Sequence, residues 1–322
     1  MTLSTAELYA LGCAVLWAIN ALVLRTLAHQ VAPATINAVR CGAAGLLFLL
    51  LMPFSAPLSS LALVPWSEWG LLLISLSCGL VVGDTLYLVA LREIGVSRAM
   101  PVSGTFPLTT LLFERLLLGT PLQPTILLGS LLVGVGVVLL AWAKVPKTSG
   151  ATPHASGTTP HASGTTPYAS GATPHASGTV PPVRLLRGVL CALTAALLWG
   201  LAVTLLKPAL VHLTMVQANA VRMPMVALLL YLLVMRPAGQ ALRPLTRRTW
   251  VLLVGSGLSG MGLGAYLFLS ALSQIGPAKT VTLTSASPVF GVALAVLFLK
   301  EKVDARALVG AACCLAGVYA VL

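Results

Sequence analysis

Of 322 residues only 19 are Lys or Arg and 7 are Asp or Glu, while 58% are apolar and the mean hydropathy is +0.98. Soluble domains carry about a quarter charged residues, so this composition excludes a soluble globular enzyme and, outside one central stretch, a disordered chain. The net charge of +12 does not point to nucleic acid, because in so apolar a chain Lys and Arg mark the cytoplasmic face of a bilayer.

A transmembrane helix needs about 20 predominantly apolar residues. Ten stretches supply them in order: 8–24, 34–51, 70–91, 99–118, 122–143, 185–206, 215–235, 250–272, 280–299 and 305–322. They are too long and too rich in Leu, Ala and Gly for β-barrel strands, which alternate over about 10 residues. The expectation is an all-α membrane protein with ten transmembrane helices. The first stretch lacks the basic leader of a secretion signal and is expected to be a retained helix. Cys13, Cys41, Cys78, Cys191, Cys313 and Cys314 all fall inside these stretches without CxxC or Cys/His spacing, so they are expected to pack rather than to bind metal or form disulfides.

Between the fifth and sixth stretches, residues 144–183 form a linker with a seven-residue period: Thr152-Pro153-His154-Ala155-Ser156-Gly157-Thr158 recurs from Thr159, from Thr166 with Tyr168 in place of His, and from Thr173. Each unit carries Pro and Gly and no large apolar residue, which excludes a coiled coil and predicts a flexible tether. His154, His161 and His175 are expected to be duplicated filler rather than a metal site.

A longer repeat organises the rest. A shift of 182 superimposes Leu16-Trp17 on Leu198-Trp199 and Asn37-Ala38-Val39-Arg40 on Asn219-Ala220-Val221-Arg222. A shift of 181 aligns Ala90-Leu91 with Ala271-Leu272, Ile94-Gly95 with Ile275-Gly276, Pro107 with Pro288, Gly129 with Gly310 and Gly136 with Gly317. Residues 1–143 and 184–322 are thus two copies of one five-helix unit. Five is odd, so the second copy is expected to enter the membrane inverted, an architecture of secondary transporters that bind substrate near the midplane. Fourteen of the nineteen basic residues fall on one alternating side, and the loop 53–69 has none. The positive-inside rule then places both termini outside and the linker in the cytoplasm. Trp66, Trp69, Trp142 and Trp250 lie at stretch ends, as interfacial anchors do.

The duplicated Trp, the duplicated Asn-Ala-Val-Arg, the matched Pro of the fourth helix and the Leu299-Lys300-Glu301-Lys302 turn before the last helix resemble an EamA-type protein of the drug/metabolite transporter superfamily. The likeness covers the chain apart from the linker, with one departure: Thr120 stands where the second unit has Glu301. The resemblance implies a secondary carrier, often an exporter of amino acids or other small metabolites, without a cofactor. It implies a multi-pass protein of a bacterial inner membrane, monomeric or homodimeric, whose partners are a small-molecule substrate and the lipid bilayer.

An ionisable side chain in the hydrocarbon costs roughly 2.5 to 3.5 kcal/mol on insertion scales, so each one requires a reason. At about 1.5 Å per residue, Arg40 and Asp84 lie at nearly the same depth, about 9 and 10 Å from the cytoplasmic end, and are expected to pair. Arg222 and Glu114 form a second candidate pair on the other side of the midplane. Arg40 and Arg222 have two readings, as packing devices of each unit or as a fork for a substrate carboxylate or phosphate. Asp84 is the first candidate for proton coupling and Glu114 the second; the repeat partner of Asp84 is Ala265, so the duplicated fold does not demand it. Trp17, Trp199, Asn20, Asn37, Asn219, Tyr87, Gln217 and Tyr266 are candidate cavity-lining residues or interhelical contacts. Pro107 and Pro288 are candidate hinges or simple kinks. The Gly-rich run from Gly255 to Gly264 lacks the strand and Lys-Ser/Thr of a nucleotide loop, and close helix packing or a hinge is expected there. No catalytic dyad or HExxH lies in the stretches, so no enzyme is expected.

Overall fold

The computed structural model describes residues 3–27, 31–94, 96–142, 182–236, 245–299 and 305–322. The heptad linker, Arg243 and the turn from Lys300 to Asp304 lie outside them. The described residues form helices and no strand. In the first unit these are α1 (Thr5–Leu27), α2 (Pro33–Ser55), α3 (Trp66–Leu76), α4 (Asp84–Ile94), α5 (Val96–Ser103), α6 (Phe106–Leu118) and α7 (Pro124–Trp142). In the second they are α8 (Pro182–Ala209), α9 (Met215–Leu230), α10 (Arg247–Ser256), α11 (Ala265–Ile275), α12 (Pro277–Thr284), α13 (Ser287–Leu299) and α14 (Ala305–Val321). One 3-10 turn, Leu58–Leu63, lies between α2 and α3.

The ends follow local chemistry. Ser4 and Glu7 cap the start of α1 reciprocally: the Ser4 N–H donates to Glu7 Oε2 at 2.7 Å and the Glu7 N–H to Ser4 Oγ at 3.3 Å. Thr214 and Gln217 form the same box before α9. Gly119, at φ 68°, closes α6, and Gly276, at φ 84°, separates α11 from α12; both angles are ones that a side chain disfavours.

Seven helical runs are long and apolar enough to cross a membrane: Thr5–Leu24, Ala34–Ser55, Trp66–Tyr87, Pro124–Ala141, Pro182–Ala209, Met215–Met235 and Arg247–Ile275; α14 is a shorter apolar helix. The remaining two expected stretches are each divided in two. Pro107 and Pro288 occupy the second position of α6 and α13, where a missing N–H costs nothing because that group has no intrahelical partner. A new helix therefore starts at each proline instead of a continuous one passing through it. Three runs also loosen into π-helical winding, at Ser77–Gly83, Tyr231–Met235 and Gly257–Gly264. The first and third of these are repeat equivalents at the 181 shift.

The outside of the bundle is apolar. Leu50, Leu116, Leu190, Leu233, Val251 and Leu308 are among many large aliphatic side chains turned outward, whereas Arg40, Asn37, Asn219 and Arg222 are buried. This inverts the pattern of a soluble protein and suits a lipid solvent. Trp66, 89% exposed, and Trp250 project from the first turns of α3 and α10, as interfacial anchors do.

The two units interlock rather than sit side by side. α2 packs on its counterpart α9 and α7 on its counterpart α14, while α1 packs on α11 and its preceding π segment and α8 packs on α3, α4 and α6. Contacts run in opposite directions along each pair: Gly45 meets Pro224 while Gly42 meets Ala227, and Gly129 meets Gly317 while Gly136 meets Gly310. The first helix of each unit is thus held by the third and fourth stretches of the other.

Candidate functional site

The polar interior is built on the two exchanged helices. In α8, Trp199 Nε1 donates to Asp84 Oδ1 at 2.8 Å, directly after the π segment of the first unit. The indole is enclosed by Tyr87, with centroids 5.3 Å apart, and by the edge of Phe106 at 6.0 Å. A methyl group on Gly83 would fall 3.0 Å from the indole Cδ1 and Nε1 and from the Cys78 carbonyl, so a larger residue would crowd the ring there. In α1, Trp17 repeats the arrangement with two changes: its Nε1 donates to the Gly260 carbonyl at 3.3 Å in place of a carboxylate, and its ring lies 5.6 Å from Phe268 in place of Tyr87. Gly264, the equivalent of Gly83, again clears space for the indole. One half therefore gives its Trp a carboxylate and the other a backbone oxygen.

Asn20 extends the second cluster. Its Nδ2 donates to the Leu16 carbonyl at 2.8 Å and to Ser259 Oγ at 3.2 Å, which ties α1 to the Gly257–Gly264 segment. Arg40 is 1% exposed and lies against the same segment: a Cβ on Gly257 would come 2.9 Å from its Cα, and one on Gly260 would come 3.0 Å from its Nη2. The expectation of close helix packing by these glycines holds, and its beneficiary is an arginine.

Across the α2/α9 contact, Arg222 is 6% exposed and its Nε has no hydrogen-bond partner among the described residues. Asn219, three residues earlier on the same face, has both amide atoms buried without partners, and Asn37 Oδ1 is in the same position. Cys41, Leu80, Ala220 and Met223 share one buried cluster, so α2, the π segment that leads to Asp84 and α9 meet in one region.

Glu114 does not join that region. It turns toward the start of α12, where Oε2 accepts the Ala278 N–H at 2.7 Å and Lys207 attracts the carboxylate. The expected Arg222–Glu114 pair therefore does not form; unpaired N–H groups at a helix start lie nearer, because α6 packs on α12. Tyr266 is 38% exposed and Thr85, its repeat equivalent, is exposed too, so that face of the repeat looks outward. Gln217 is engaged in the Thr214 box and donates through Nε2 to Ser60 Oγ at 2.9 Å. Pro107 and Pro288 are buried at the breaks.

A family model described as the EamA-like transporter family matches residues 4–142 and again residues 186–322. The chain belongs to the EamA-like transporter family. A solved structure titled only "Crystal structure of protein" is similar at a TM-score of 0.74 and 18% identity, covering 99% of this chain and 96% of that one, which bears on the fold alone. No curated protein matches the chain. The protein is accordingly an integral multi-pass membrane protein of an EamA-like transporter type, with the family domain present twice.

Both Trp clusters and both arginines lie inside the two EamA segments. Sequence reasoning singled out the tryptophans, arginines and Asp84, but not the role of Ser259 or the π windings. The signal was present in Gly79 and Gly83, which recur as Gly260 and Gly264 at the 181 shift.

Proposed function

We propose that this EamA protein is a secondary carrier with ten membrane crossings in two units of opposite orientation. It moves a small organic metabolite bearing a carboxylate or comparable anion, exporting it across a bacterial inner membrane. The observation that carries this reading is Arg222: a buried guanidinium, Nε without a hydrogen-bond partner, beside an Asn219 amide likewise lacking partners among the described residues. A buried cation is costly to leave uncompensated, and the planar fork of Arg suits a carboxylate. Arg40 is the equivalent group of the first unit, and Asp84, present in one unit only, is the coupling carboxylate. The opposite running of α2 against α9 and of α7 against α14 supports the inversion, and the α5/α6 and α12/α13 breaks at Pro107 and Pro288 supply hinges.

The test is counterflow in proteoliposomes loaded with a panel of amino acids and other small organic acids. One class is expected to accelerate entry of its labelled member from the opposite side. In Arg222→Lys, which keeps the charge and loses the fork, the half-saturating concentration is expected to rise on the order of 10- to 100-fold. Absence of trans-acceleration for every compound, or an unchanged half-saturation in Arg222→Lys, overturns the reading.

A further inference from the structure

The chain has seven acidic residues, and five of them, Glu7, Glu68, Asp84, Glu93 and Glu114, belong to the first unit. Every one of the five contacts the second unit. Glu7 Oε1 lies 2.6 Å from Lys279 Nζ on α12. Glu68 pairs with the His212 ring nitrogen and also accepts the His212 N–H at 3.1 Å. Glu114 caps α12 at Ala278 beside Lys207. Asp84 holds Trp199, and Glu93 faces Arg187 at 3.4 Å and Arg184 at 4.0 Å.

The helix directions sort these contacts by depth. Glu7 begins α1, Glu68 begins α3 and Glu114 lies near the end of α6, so the three share one end of the bundle; Glu93, near the end of α4, lies at the other. The same end as Glu68 carries two further bonds between units, from Gln217 Nε2 to Ser60 Oγ and between Ser55 and Thr214 hydroxyls. The pair at the opposite end is made by exposed arginines at the start of α8, with 65% and 67% of their side chains accessible, and attraction between such groups is weak.

We propose that Glu7, Glu68 and Glu114 form a gate: three carboxylates of the first unit that grip the second unit across one end, so that the structure is the form closed there. The inference rests on the carrier reading for its purpose, but not for its measurement. Opening that end requires Lys279, His212 and the start of α12 to leave their carboxylates together, while Glu93 at the far end opposes the reverse movement.

Hydrogen–deuterium exchange of the full chain in lipid nanodiscs tests it. In Glu7→Gln/Glu114→Gln, backbone exchange in residues 207–217 and 277–284 is expected to rise about tenfold, a typical consequence of losing charge-assisted contacts, with 184–188 unchanged or slower. Glu93→Gln is expected to act with the opposite sign, speeding 184–188 alone. Exchanging the charges, Glu7→Lys with Lys279→Glu, is expected to return residues 277–284 toward the parent rate. Should the double variant fail to fold, Lys279→Gln alone carries the same expectation. Unchanged exchange at the gated end, or a rise at both ends in every variant, overturns the gate. Counterflow on the same variants separates the two claims: exchange that shifts without any carrier flux refutes the carrier and leaves the gate, and flux without a shift does the reverse.

Discussion

Trp17 and Trp199 occupy equivalent positions but differ in what receives the indole proton. A hydrogen bond to a charged acceptor contributes about 1.5 to 3 kcal/mol, against about 1 kcal/mol for a neutral one. Trp199→Phe, which removes the 2.8 Å bond to Asp84, is therefore expected to lower the melting temperature in detergent more than Trp17→Phe, which removes a 3.3 Å bond to a carbonyl. Equal losses would show that the carboxylate adds nothing to the indole's hold. Both tryptophans were legible in the sequence because the duplication repeats them. Glu114 was misplaced because depth along a helix says nothing about rotation around it, and the carboxylate turned to the nearer unpaired N–H of Ala278.

Where two helices meet through glycines, the helix rather than the residue is the unit of response. A Cβ on Gly136 would fall 2.4 Å from Cys314 Sγ and 2.6 Å from the Gly310 carbonyl, and only a parting of α7 from α14 relieves contact with backbone. Gly136→Ala is expected to cost about 1 to 3 kcal/mol or more by overpacking. Gly70→Ala in α3 meets nothing within 4 Å and is expected to stabilise by about 0.5 to 1 kcal/mol, since Ala loses less backbone freedom. Thermal unfolding of the two variants in one detergent checks the opposite signs. The long helices follow the hydropathy closely, because a bilayer demands length and apolarity together and the sequence must display both. The proline breaks were legible too. The π windings were not, since an apolar run carries the same pattern whether its carbonyls bond four or five residues ahead; only the paired glycines marked them.

At the scale of the molecule, charge bias predicts which end faces which compartment. With Leu63→Cys, in the loop without Lys or Arg, a membrane-impermeant maleimide is expected to react on intact cells, and with Arg236→Cys only after the membrane is opened. The reverse pattern would invert the orientation while leaving the helix packing untouched. The duplication was evident from residue identities alone, whereas the interlocking of α1 with α11 and of α8 with α3 and α4 was not, because no local pattern encodes which unit completes which. The dependence of the first unit's acidic residues on the second also has a history in time. A ribosome makes about 5 to 20 residues per second, and Trp199 follows Asp84 by 115 residues. For roughly 6 to 23 s, by that rate, a nascent first unit holds Asp84 before the Trp199 indole that donates to it has been made. Until the second unit is made, the half-built protein lacks the residues that its five carboxylates contact in the finished fold.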